Sequence, residues 1–336
     1  MTMRFRRPLL LGLIAALFSM MALAPGCGPK TARTDHRGVE GTLKDIRFFA
    51  YQIQSQEEGN NVRKLADSRY DMLVTDQARS LKGEEGYECA ADVARLKRSM
   101  GSSGVKKVVV CYLDVGEAES YRLYWRDTWH VGDPEWIVAP DPDGWDENYP
   151  VKFWRPEWKR IMNEAVDRII EDGYDGIYLD WLEVYSFEQV AGAAREEGLD
   201  PRAELVEFVR EIARRARSKK PGFLLIAQNA AELGSNPEYM ELFDAIAQEG
   251  VWYEGGSDPD TDEIPGDVTV NPELTRELLN DLKLWQKRGK PVFDVEYAQQ
   301  PSNVRRAYTL GEEHGFKTYV TLRMLDSLSQ TPPPGY

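Results

Sequence analysis

Histidine and cysteine are scarce in this chain, with three of each in 336 residues. His36, His130 and His314 are too scattered to supply the clustered ligands of a metallohydrolase, so no metal and no other cofactor is expected. The Ser nucleophile elbow and the Walker loop are missing as well. No early strand is followed by the Gly-rich turn that grips a dinucleotide phosphate. Positive charge is in deficit: 42 Lys and Arg stand against 56 Asp and Glu, a formal net charge of -14. That balance disfavours nucleic acid and anionic membrane surfaces as partners and is compatible with a cationic one. Among the usual chemistries, one resting on carboxylates alone is what these absences leave.

What is present begins with a leader. Arg4, Arg6 and Arg7 precede an apolar run from Leu9 to Phe18, the pattern of a secretory signal peptide over residues 1–27. It ends at Gly26-Cys27, which resembles a bacterial lipoprotein cleavage site, so Cys27 is expected to be lipidated. A lipid anchor would place the protein outside the cytoplasm on a membrane or cell surface; plain secretion is the alternative. The run is short for a spanning helix, and Pro25-Gly26 interrupts it. Residues 28–44 read as a flexible tether, leaving 45–336 as one domain. Cys89 and Cys111 then remain, in a compartment that permits disulfides. Pairing and two free buried thiols are both open readings.

With 42% hydrophobic residues, nine Trp and sixteen Tyr, the chain can build a large core. Apolar runs of strand character recur at Ile46–Gln52, Met72–Thr75, Lys107–Leu113, Gly176–Asp180, Phe223–Gln228, Ala245–Glu249, Pro291–Val295 and Lys317–Leu322. Helix-periodic stretches lie between most of them, clearest over 157–171, 202–219, 272–287 and 304–314. Eight such alternations with no internal linker predict a single-domain α/β fold, the (β/α)8 TIM barrel. A doubly wound open sheet is the alternative.

In a parallel sheet, ligands bind beyond the carboxyl ends of the strands, so strand-end acids are the candidates for chemistry. Asp180 ends the fourth run and Glu249 the sixth. If Asp180 points inward, strand alternation turns Tyr178 and Gly176 inward too, with Ile177 and Leu179 against the helices. The bland reading of Asp180 is a cap on the following turn. Two converging carboxyl groups are what glycosidic hydrolysis needs: one protonates the leaving oxygen, the other attacks or activates water. Asp76, Asp294 and Glu296 are placed on inward faces as substrate contacts, with at least one expected to be structural. Arg323 is expected to pair with a mouth carboxylate. Tyr51, Tyr112, Trp154, Trp181, Trp252 and Tyr253 are candidate stacking surfaces for sugar rings; each alone is more readily explained by core packing, and their clustering beside the acids shifts the balance. The connection from Asp114 to Trp154 carries five Trp and many acids, and the connection after Glu249 carries more acids, so the mouth is expected to be acidic and to favour a cationic ligand.

Several blocks, in order, resemble one known group. Tyr51-Gln52-Ile53-Gln54, Leu73 to Asp76, Cys111 to Glu119, Val151 to Trp154, Asp175 to Trp181, Ala227-Gln228-Asn229 and Gln248-Glu249 are similar to those of glycoside hydrolase family 114, the endo-α-1,4-polygalactosaminidases. The resemblance spans about residues 46–325. It implies a barrel that cuts partly deacetylated, cationic galactosamine polymers, with Asp180 as nucleophile and Glu249 as acid/base. The same blocks add Glu117, Lys152 and Asn229 to the residues expected at the substrate. Two other readings stay open: a surface lipoprotein that binds polysaccharide without cutting it, and a glycosidase for a different glycan.

Overall fold

The computed structural model describes residues 43–336 except 57–59, 143 and 256–265. The leader, Cys27 and all but the end of the tether therefore lie outside the described residues. Eight parallel strands form one sheet in chain order: β1 (Phe49–Tyr51), β2 (Met72–Thr75), β3 (Val108–Asp114), β4 (Gly176–Asp180), β5 (Leu224–Gln228), β6 (Ala245–Glu249), β7 (Val292–Tyr297) and β8 (Lys317–Thr321). The strand order never reverses, which makes this the expected (β/α)8 barrel and removes the doubly wound alternative. Helices α1 (Asn61–Asp67), α2 (Cys89–Arg98), α3 (Pro156–Glu171), α4 (Glu188–Glu196), α5 (Pro201–Lys219), α6 (Pro237–Met240), α7 (Pro272–Lys287) and α8 (Pro301–His314) connect the strands.

Local chemistry explains the helix starts. Proline opens α3, α5, α6, α7 and α8, where its missing N–H has no helical partner to lose. Asp200 and Asn271 accept the first free N–H groups of α5 and α7. α8 stops at Gly315, which adopts the left-handed φ of 72°. Along α3, Trp158, Ile161, Met162, Ala165, Val166 and Ile169 form the buried face, the three-and-four spacing that lays one helix side on a sheet.

Inside the barrel, aromatic rings fill the layers. Phe49 meets Phe293 with centroids 5.0 Å apart, and above them Tyr51 meets Tyr178 at 5.1 Å. Each buried ring contributes about 1.5–3 kcal/mol over leaving it in water. A Cβ on Gly176 would sit 2.4 Å from that of Leu224, so only glycine lets β4 and β5 approach here. The barrel is nearly closed. Among the described residues β8 and β1 form no ladder; Leu325 O instead accepts from Ile53 N (3.0 Å) and Gln54 N (3.2 Å) just past the strand ends.

The long connection after β3 is ordered around its own small core. Trp125 stacks on Tyr149 at 5.0 Å, and Trp129 and Trp136 continue the chain of rings to Trp158. Residues Glu117–Glu119 and Asn148–Pro150 pair as a short antiparallel ribbon. Most of the Trp density of this loop is therefore packing; of the five Trp from Asp114 to Trp154, Trp145 alone lines the groove described below. Cys89 and Cys111 are free buried thiols, and burial pushes the Cys89 thiol up to about 11.

Candidate functional site

Asp180 and Glu249 end their strands on the same rim and border one open groove of about 900 Å3. The two carboxylates feel each other. Burial first, and then the Glu249 charge, raise Asp180 from 3.8 to about 7. Against that, Asp180 Oδ2 accepts from Tyr112 Oη (2.9 Å) and Oδ1 from its neighbour Trp181 N (2.8 Å), and both bonds favour the ionised form. Tyr297 Oη donates to Glu249 Oε1. The pair is thus held in a tyrosine cage, with Tyr51 also packed between Tyr112 and Tyr178.

Asn229 organises the other side. Its Oδ1 accepts from Glu249 N and Gln248 Nε2, both at 3.0 Å, which leaves its Nδ2 to donate to Glu249 Oε2 and Glu183 Oε1, both at 3.2 Å. The amide orientation follows from those donors. Gln248, an odd polar residue on an outward face, is thereby explained: it is buried and aims Asn229. Trp181, Asn229 and Ala230 all have left-handed φ, 55°, 60° and 49°. Strain of this kind at non-glycine residues persists only where surrounding contacts enforce it. At Gly116 a Cβ would come 2.3 Å from Trp181 O, so that glycine admits the turn carrying Trp181.

The groove brings together Asp180, Glu249, Tyr51, Asp76, Tyr112, Trp181, Asn229 and Arg323 from the expected set. Arg323 lies over the Trp145 ring at 5.4 Å. Asp76, however, is paired: Arg122 Nη1 reaches both its oxygens, at 3.0 and 2.8 Å, while Arg122 Nε and Nη2 take Glu119. That buried ion triad ties the long loop to the end of β2.

Other expected residues lie elsewhere. In β7 the inward set is Phe293, Val295 and Tyr297; Asp294 and Glu296 face outward, a correction to the expected faces. The expected strand stopped at Val295, whereas β7 continues to Tyr297, and the inward side is the one carrying the rings. The outward acids are accommodated by partners. Thr318 Oγ1 donates to Asp294 at 2.8 Å, and backbone N–H groups of Val251, Trp252 and Tyr253 donate to Glu296. Tyr253 is buried, and Trp252 packs on His314 and Phe316; neither ring lines the groove. Lys152 and Trp154 gather with Arg155 on Glu197 at 2.9–3.0 Å, also outside it. Glu117 is buried under the rim ribbon, where Asn148 Nδ2 donates to it at 3.2 Å. Burial and then Asp114 push its carboxyl far up.

Two groove residues that bear on the pair have no counterpart in the sequence reading, Glu183 and Tyr297; Asp114 is expected there only as one acid of the mouth loop. Burial and then Asp180 hold Glu183 well above the ordinary range. A carboxylate three residues after a strand-end acid, in the turn that follows it, is the signal that could have found Glu183.

An eight-stranded barrel with two strand-end carboxylates over an open, aromatic groove defines the class, a glycosidase of the TIM-barrel type. The sequence profile of glycoside hydrolase family GH114 matches residues 43–334, and the chain belongs to that family. It is therefore a glycoside hydrolase. An uncharacterized protein of Deinococcus radiodurans is 38% identical over 225 residues, 67% of each chain. One of Thermotoga maritima is 34% identical over 271 residues, 79% of this chain and 75% of the other. Among solved structures, the glycoside hydrolase domain of PelA from Pseudomonas aeruginosa superposes with a TM-score of 0.60 at 20% identity, covering 84% of this chain and 97% of that one. Aspergillus fumigatus Ega3 in complex with galactosamine gives 0.58 at 16% identity, covering 84% and 93%. These two likenesses concern the fold.

Proposed function

We propose that this glycoside hydrolase cuts the interior of an α-1,4-linked, galactosamine-containing cationic polysaccharide with Asp180 as nucleophile and Glu249 as acid/base. The observation that carries the reading is the groove's charge. Among the described residues it is lined by eight carboxylic acids and three cations, and one of the cations, Arg122, is already held by Asp76 and Glu119. A cationic chain gains from that field, and an anionic or neutral one does not. About 900 Å3 is near the top of the range of about 300–1,000 Å3 for ligand clefts, which suits several sugar rings better than one.

In this mechanism Glu249 gives its proton to the leaving glycosidic oxygen while an oxygen of Asp180 bonds to the anomeric carbon. Water, deprotonated by Glu249, then releases the sugar from Asp180 and restores both groups. Tyr112 and Trp181 N–H steady the Asp180 charge, and Tyr297 and Asn229 orient Glu249. Tyr51, Trp181 and Arg323 are assigned to substrate contact. The leader supports a further part of the reading, an extracytoplasmic protein anchored through lipid on Cys27. Digestion of galactosamine polymer, followed by mass spectrometry and by NMR of the anomeric protons, tests the proposal. Mixed oligosaccharides first released as the α-anomer are expected. Monosaccharide alone would contradict the endo mode, β-anomer the assigned roles, and release only from other glycans the substrate.

A further inference from the structure

Three of the eight groove carboxylates have both oxygens engaged. Asp180 is met by Tyr112 and Trp181 N–H, Glu249 by Tyr297 and Asn229, and Asp76 by Arg122. Two others are filled on one side only. Asp114 is 1% exposed, and its Oδ1 accepts from Gly116 N (2.9 Å) and Glu117 N (2.8 Å), yet its Oδ2, though the residue lines the groove, meets no donor. Glu183 Oε1 accepts from Asn229, and its Oε2 is likewise buried without a partner. A buried polar atom left in this state is costly unless something arrives to fill it.

Their positions say what arrives. Asp114 stands opposite Asp180 in the ladder between β3 and β4, one strand spacing of about 4.8 Å away. Glu183 shares the Asn229 amide with Glu249. The two unpartnered oxygens thus belong to carboxylates that adjoin the pair, Asp114 next to Asp180 and Glu183 next to both.

We propose that Asp114 and Glu183 are the specificity-determining residues that read free amino groups, selecting deacetylated over N-acetylated sugar at the point of cleavage. This rests on the function proposed above and deepens it. An ammonium group brings both N–H donors and the positive charge that a buried carboxylate lacks. An acetamido group brings one N–H, no charge and a methyl that must be housed. Burial pushes both carboxyls upward, toward the neutral form, in the free protein, and an arriving cation favours the ionised one.

Near-isosteric amides test this, because Asp114→Asn can still accept from Gly116 and Glu117, and Glu183→Gln can still accept from Asn229. Binding of a galactosamine tetrasaccharide and of its fully N-acetylated counterpart is measured by calorimetry in a Glu249→Gln background, where turnover does not interfere. The parent is expected to favour the free amine at least about tenfold, and each amide variant to lower that ratio by about tenfold or more. The loss should fall on the amine ligand, with the acetylated one unchanged. Ratios that persist in both variants, equal losses on both ligands, or a parent without preference would overturn the inference. Polymer digestion reports separately: a wild type that cuts nothing but keeps the Asp114- and Glu183-dependent ratio sinks the proposed activity and leaves this assignment standing.

Discussion

Replacing Asp180 by Asn should stabilise the protein while abolishing its chemistry, and the gain should grow with pH. The carboxyl titrates near 3.8 in a solvated chain and at about 7 in the fold. Between those values the folded state keeps a proton that the unfolded state releases, so wild-type stability falls as pH rises through roughly 4 to 7. The rise from 3.8 to about 7 corresponds to about 4 kcal/mol at pH 8, a ceiling that partial exposure to the groove reduces to roughly 2–4 kcal/mol. At pH 4 the same arithmetic gives under about 1 kcal/mol. Asn approximates the neutral carboxyl and retains an acceptor for Trp181 N–H. At about 2 °C per kcal/mol for a domain of this size, the variant should melt about 4–8 °C above wild type at pH 8. The two should nearly coincide at pH 4. Scanning calorimetry at matched scan rates reads both. An unchanged or lower melting point at pH 8, or a gain larger at pH 4 than at pH 8, would refute the burial argument.

Tyr297→Phe removes the phenol that orients Glu249 and should lower kcat/KM by about 10- to 100-fold with a small change in melting point. Steady-state rates beside a melt would show this. Arg122→Met strips the cation from buried Asp76 and Glu119 and should cost about 3–5 kcal/mol in urea unfolding, the penalty of leaving a buried charge unpaired. Gly116→Ala forces a Cβ against the backbone of Trp181, and both kcat and melting temperature should fall.

The barrel and its two principal acids are legible in the sequence because both depend on short-range pattern. A buried parallel strand is a continuous apolar run, and an acid closing such a run sits at the mouth by geometry. The remaining features depend on contacts distant in sequence. Asp294 and Glu296 look like mouth acids until the ring of Phe293 is seen against Phe49 and Tyr297 on Glu249, which turns the acids outward. Asp76 closes its strand as Asp180 does, but Arg122, 46 residues later, engages it. Trp145 is indistinguishable in sequence from Trp125, Trp129 and Trp136, and only folding separates the ring at the groove from those in the loop core. Left-handed turns at Trp181 and Asn229 break strand alternation just where the site is built, so side-chain directions beyond those points are not readable from period alone.

In the proposed reaction Asp180 and Glu249 carry the chemistry on a cationic galactosamine chain. Oligosaccharide release from that polymer by wild type, Asp180→Asn and Glu249→Gln, each shown folded by its melt, tests it most directly. Activity is expected in wild type, with a loss of roughly a thousandfold or more in each variant. Release at wild-type rates by either variant would contradict it.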